Sequence, residues 1–165
     1  MPNLKLQVSR ALNVIPSDAT NIPMPNVITY GVVTSTSASI LIDSTKNFSS
    51  SGVNPLNVQV GDIVYDITAN QAAMVTNVDS ATQLTLNAAI FMTISDNYTL
   101  YSGTNITGTV EPCVLYVGTG GDMDIVTAGG DLVYLVGVPS GSFLPIQVIR
   151  VGTSTTTAQN IVALW

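Results

Sequence analysis

Asp122-Met123-Asp124-Ile125-Val126-Thr127-Ala128-Gly129-Gly130-Asp131-Leu132-Val133-Tyr134-Leu135-Val136 decides the fold. Two runs of β-branched, aliphatic and aromatic residues flank Gly129-Gly130-Asp131. Glycine tolerates positive φ and aspartate bonds its own backbone, so the stretch reads as a β-hairpin. The same pattern repeats in both directions: short apolar runs cut by Gly, Asn, Asp, Ser or Pro. Strands are expected at 11–15, 27–33, 39–43, 63–66, 73–78, 83–86 and 98–101, then at 113–117, 122–126, 132–136, 146–151 and 160–164. Asp79-Ser80-Ala81-Thr82 and Pro139-Ser140-Gly141 read as further turns, and Pro145 as the first residue of a strand, where its missing N–H costs least. No segment holds a 3.6-residue period for three turns, so the chain is expected to be all-β, sandwich- or barrel-like.

Composition sets the surface. Of 165 residues 46% are hydrophobic and only 8% charged, against roughly 25% charged in ordinary soluble proteins. Lys5, Arg10, Lys46 and Arg150 are the only cations. A free monomer normally guards its sheet edges with such charges, so a surface of Thr, Ser, Asn, Gly and scattered apolar residues suits permanent neighbours. The net charge of −6 and the lack of a basic cluster argue against nucleic-acid binding, which draws its affinity from Lys and Arg on the phosphates. Asp outnumbers Glu nine to one, which places the acidity in turns. The start Met1-Pro2-Asn3-Leu4-Lys5 lacks an apolar leader run, and no apolar stretch reaches the ~18 residues of a membrane span. The chain is therefore expected to be made and kept in the cytoplasm until it is assembled.

The chain has no His, which excludes Ser-His-Asp and Cys-His catalysis and His-ligated metals. Cys113 is the only cysteine and lies in an apolar run, so it reads as a small core residue without a disulfide. Asp43, Asp62, Asp66, Asp96, Asp122, Asp124 and Asp131 could supply the two carboxylates of a glycosidase, but beside Gly, Asn or Ser the ordinary reading is a solvated turn aspartate. Gly118-Thr119-Gly120-Gly121 lacks the Lys of a phosphate loop and reads as a tight β connection. Asp122 and Asp124 share one face of a strand; they are weak calcium candidates, the plainer reading being a solvent-facing pair. Tyr30, Tyr65, Tyr98, Tyr101, Tyr116, Tyr134 and Trp165 are spread along the strands and read as core or interface residues. No cofactor is implied.

A resemblance sharpens the picture. Leu115-Tyr116-Val117-Gly118, Gly121-Asp122, Thr127-Ala128-Gly129-Gly130-Asp131, Gly137-Val138-Pro139-Ser140-Gly141, Leu144-Pro145-Ile146-Gln147-Val148, Arg150-Val151 and Ile161-Val162-Ala163-Leu164-Trp165 resemble, in order and spacing, the spike-base proteins of phage heads and of the phage-like gene transfer agent. Val14-Ile15-Pro16-Ser17-Asp18-Ala19-Thr20-Asn21-Ile22-Pro23 resembles the start of the same domain. There the two pieces are close in sequence, whereas here about ninety residues intervene. The intervening stretch resembles small β modules of phage virion and tail proteins through Leu41-Ile42-Asp43-Ser44-Thr45, Phe48, Val60-Gly61-Asp62-Ile63-Val64-Tyr65, Val75-Thr76-Asn77-Val78-Asp79-Ser80, Gln83-Leu84-Thr85-Leu86 and Ile90-Phe91. Within it, residues 60–64 read as a turn feeding a half-buried strand, and Leu84 and Leu86 alternate with a wet face of Gln83 and Thr85.

The resulting expectation has three parts. Residues 1–8 form an N-terminal arm or a frayed end. Residues 9–27 with 104–165 form a discontinuous sandwich- or jelly-roll-like module, opened by a Gly/Thr-rich linker at 104–109. Residues 28–103 form an inserted small β-barrel-like module. The resemblance implies a non-enzymatic virion subunit on the outer surface of the particle: a capsid decoration, cement or head spike-base protein that self-associates and binds the major capsid protein or a fibre. A tail, baseplate or fibre-attachment position and a carbohydrate-binding adhesin are the alternatives.

Overall fold

The structure, a computed structural model, describes residues 8–91, 93–104 and 109–165; most of the expected arm and the centre of the expected linker fall outside these residues. The described chain contains no helix and thirteen strands: β1 (Ala11–Asn13), β2 (Val27–Val32), β3 (Ser35–Ser37), β4 (Ile40–Ile42), β5 (Ile63–Asp66), β6 (Gln71–Ser80), β7 (Gln83–Leu86), β8 (Asn97–Tyr101), β9 (Cys113–Thr119), β10 (Gly121–Thr127), β11 (Leu132–Val138), β12 (Ser142–Val151) and β13 (Gln159–Leu164). They form two antiparallel sheets, one of them curled into a half-barrel, so the all-β class expected from the alternating runs holds.

The chain divides into two compact units, one of residues through Val14 with Pro112–Trp165, the other Ile15–Glu111. The boundaries differ from the expected 27/28 and 103/104. Residues 15–27 are expected in the discontinuous module, but Val27 opens β2, which pairs with β8, and Met24 N–H donates to the Ser102 carbonyl at 3.1 Å. Backbone pairing therefore carries 15–27 into the contiguous unit. The short β1 stays with the other unit because it pairs with β13.

The discontinuous unit holds a six-stranded sheet in the order β1-β13-β9-β12-β10-β11. Period-two alternation points Cys113, Leu115 and Val117 of β9, Met123 and Ile125 of β10, and Ile161 and Ala163 of β13 into its core, all buried. Each large side chain among them contributes about 1.5–3 kcal/mol by leaving water. Strand β12 was expected to begin at Pro145, yet it starts at Ser142 and runs through that residue. The sheet tolerates the proline because its ladder with β9 shifts register between Leu144 and Val148, while the strand's C-terminal part, from Val148 on, also pairs with β10.

The contiguous unit holds the order β2-β8-β5-β6-β7-β4-β3. Ten-residue β6 joins its halves, pairing with β5 at one end and with β7 at the other through two bulges that bend the sheet. Leu41, Phe48, Val64, Ala73, Val75, Leu84, Leu86, Tyr98 and Leu100 are among the core residues packed inside this unit. The expected wet face of Gln83 and Thr85 is present, with Leu84 and Leu86 buried. Strand β5 departs from expectation: all four of its residues are buried, because it lies between β6 and β8 and both its faces are covered. Strand β3 was not anticipated, since Ser35-Thr36-Ser37 carries no apolar pattern; the left-handed Ser39 turns it onto β4.

Candidate functional site

Met123 is buried, so Asp122 and Asp124 lie together on the opposite face of β10, as the strand period requires. Both oxygens of Asp122 are occupied. Oδ1 accepts the Gly137 N–H at 2.8 Å and Oδ2 accepts the Tyr134 hydroxyl at 2.9 Å. These donors favour the charged form and hold the Asp122 carboxyl below its usual value, while the same bond raises the Tyr134 phenol. The Asp124 main chain is also engaged: its N–H donates to Thr156 Oγ1 at 3.0 Å and its carbonyl accepts from Gly152 N–H at 2.8 Å. Among the described residues no group of three or more His, Cys, Asp or Glu side chains comes together as a metal site would require. The geometry thus makes Asp122 a tie between β10 and β11.

Four of the other candidate carboxylates are not solvated, correcting the sequence expectation: Asp43, Asp62, Asp66 and Asp96 are buried. Each satisfies turn amides. Asp43 Oδ1 accepts from the Thr45 N–H and hydroxyl, and its Oδ2 takes the Tyr98 hydroxyl at 2.8 Å. Asp62 accepts from the Gln59 and Gly103 N–H groups, Asp66 from those of Thr68 and Ala69, and Asp96 from that of Thr93. Burial raises the Asp62 and Asp66 carboxyls, and the neighbouring Asp96 raises Asp66 further. These are structural tasks, for which short Asp side chains suit the turns. Asp131, by contrast, is exposed and accepts the Thr127 hydroxyl at the hairpin turn.

Cys113 is buried and free, with its thiol pushed up to about 12 by burial. Tyr65 and Tyr98 are core residues and Tyr101 and Tyr116 half-buried; Tyr30 and Tyr134 are exposed. Gly118, Gly120 and Gly121 fill the expected connection from β9 to β10. At Gly120 an added Cβ would lie 2.4 Å from the Val138 carbonyl oxygen, so close backbone approach demands glycine there. In the other unit, Thr29, Thr45, Lys46, Asn47, Val53, Asn54 and Leu56 line an open groove of about 390 Å³.

The surface feature that sequence reasoning missed is β11. It reads as uniformly apolar, yet Leu132, Tyr134 and Val136 are 75%, 51% and 73% exposed, along the last strand of its sheet. Four strands end sheets among the described residues: β1, β11, β2 and β3. Strands β1 and β3 have three residues each. Strand β2 is interrupted by a register shift and has Lys46 Nζ 5.7 Å over the Tyr30 ring. Seven-residue β11 has no charge at all within it. Natural edges are commonly kept short, bulged or charged; β11 is the longest of the four and carries no charge, its one guard being a register shift against β10 at its far end, where Gly137 stands at φ 65°. On the face carrying Tyr116, Phe143 lies 5.1 Å from that ring and is itself exposed. No family model, curated protein or solved structure matches the chain.

Proposed function

We propose that this chain is a non-enzymatic structural subunit of a bacteriophage particle, a decoration, cement or head spike-base protein on the outer surface that binds assembled shell and copies of itself. One observation carries the reading. The uncharged apolar edge strand β11 falls inside 113–165, the stretch whose residues resemble the head spike-base proteins. A long open edge is a hazard for a free monomer and an asset for a subunit tiled by symmetry, where weak contacts add through repetition. The carboxylates a hydrolase would need are instead mostly engaged in turn hydrogen bonds, which supports a mechanical role over a chemical one.

Particles purified on a density gradient should contain the chain, and antibody raised against it should decorate heads in electron micrographs. Label confined to tails would replace the head position with a tail or baseplate one. Absence from particles, or turnover of a polysaccharide lost on a single Asp→Asn change, would overturn the reading.

A further inference from the structure

We infer that β11 is a self-pairing edge: two copies of the chain join β11 to β11 antiparallel about a twofold axis at Tyr134, continuing the six-stranded sheet across the interface. The inference rests on the assembly reading above and names the surface and register that would serve it.

The backbone sets the parity. Thr127 N–H donates to the Asp131 carbonyl at 3.0 Å, which makes that opposed pair a hydrogen-bonded one. Bonded and non-bonded pairs alternate along an antiparallel ladder, and Val126↔Leu132, Ile125↔Val133 and Asp124↔Tyr134 continue the register. The main-chain groups of Leu132 and Tyr134 therefore face the open side, ready to bond another strand. A second β11 centred on Tyr134 matches this parity, setting Tyr134 opposite itself and Leu132 opposite Val136. The exposed apolar residues then meet one another on one face. The ladder spans Leu132–Val136; past it Gly137 stands at φ 65° in the bulge where β11 shifts register against β10, so Asp131 meets no facing side chain there. Centring one residue earlier or later, at Val133 or Leu135, still sets outward-facing residues opposite one another but loses the Leu132–Val136 match.

Charge does not oppose the pairing. Asp124 lies one strand inward of Tyr134, so the two Asp124 residues of a pair stand about three strand spacings apart, roughly 14 Å. That exceeds the screening length of about 8 Å at physiological ionic strength. A second copy is favoured over an unrelated strand because the pattern is self-complementary: the twofold brings each apolar side chain onto another and each charge onto none.

The full chain at micromolar concentration should sediment as a species twice the 17.2 kDa of one chain. Val136→Lys, at a largely exposed position, should preserve the β spectrum and the melt while weakening association by about tenfold or more, as edge lysines do. Tyr134→Cys should form a disulfide-linked dimer on oxidation. Leu132→Cys mixed with Val136→Cys should cross-link, whereas Leu132→Cys alone should not, since its two copies lie about 13 Å apart along the ladder. Buried Cys113 stays silent in these reactions. A monomer at every concentration, or an association that Val136→Lys leaves intact, overturns the inference; self-cross-linking of Leu132→Cys overturns the register. Each of these outcomes is independent of whether the chain is found on particles, so the two readings fail separately.

Discussion

Asp66 shows how a residue that looks like an ordinary turn aspartate acquires a particular energetic role. Its Oδ1 accepts two turn amides, while Oδ2 is buried without a hydrogen-bond partner. Burial and then the nearby Asp96 raise its carboxyl above the unfolded value. A carboxyl with a raised folded pKa holds its proton more tightly in the native state, so stability falls as pH rises from about 4 through the folded pKa. The cost of ionising it grows as pH rises through that range. Asp66→Asn keeps an acceptor for the Thr68 and Ala69 amides and removes the buried charge. Its melting temperature should exceed that of the parent at pH 7, with the advantage shrinking as pH falls and disappearing below about 4. Thermal melts of both chains across that range check the sign; an equal loss at every pH would show that the carboxylate is worth more to the turn than its burial costs. A neighbouring constraint is steric: a Cβ on Gly31 would stand 2.5 Å from Asp43 Oδ2 and 2.6 Å from the Tyr98 hydroxyl. Glycine is kept there by that buried pair.

At the scale of elements, the β10–β11 hairpin is the clearest case of sequence chemistry made visible. The turn places Gly130 at φ 90°, a conformation that side chains rarely adopt. Gly130→Ala should cost about 1–2 kcal/mol, measurable as a lower denaturant midpoint with an unchanged slope. A neutral substitution would mean that the turn relaxes to another type. The same element scale explains the misplaced strand start at Pro145. A proline can begin a strand or sit at an irregularity, and local sequence does not tell these apart. What decides is the irregularity in the β9 ladder between Leu144 and Val148, just where pairing with β10 begins, which is a property of three strands rather than one.

For the whole molecule the consequence is a revised cut. Removing residues 28–103 would leave 15–27 without their partners, because β2 pairs with β8. The cut that respects the pairing removes 15–111 instead. Val14 N–H bonds the Ile161 carbonyl and Ile161 pairs with Val117, so Val14 stands about two strand spacings, roughly 10 Å, from Val117. Pro112 lies five residues back along the strand direction, so a Gly/Ser link of about eight residues spans the gap. Residues 15–111 expressed alone should give a β-type circular dichroism spectrum and a cooperative melt, since the core around Leu41, Phe48, Leu84 and Tyr98 is internal to them. The linked remainder should also fold. An aggregated or unfolded 15–111 would show that its stability depends on the other unit.

Local pattern was enough for the all-β class, the positions of most strands and the hairpins at Asp79–Thr82 and Gly129–Asp131, because period-two alternation and turn residues act over a few neighbours in the chain. It also placed Asp122 and Asp124 on one strand face and Cys113 in the core. Folding in three dimensions was needed to make Asp43, Asp62, Asp66 and Asp96 buried turn acceptors, to pair residues 15–27 within the contiguous unit, and to leave the apolar run 132–136 as an exposed edge. One cause underlies all three. Alternation fixes which residues share a face, but burial and edge status depend on which distant strands lie alongside, and strand order is set by long-range pairing that no local pattern encodes.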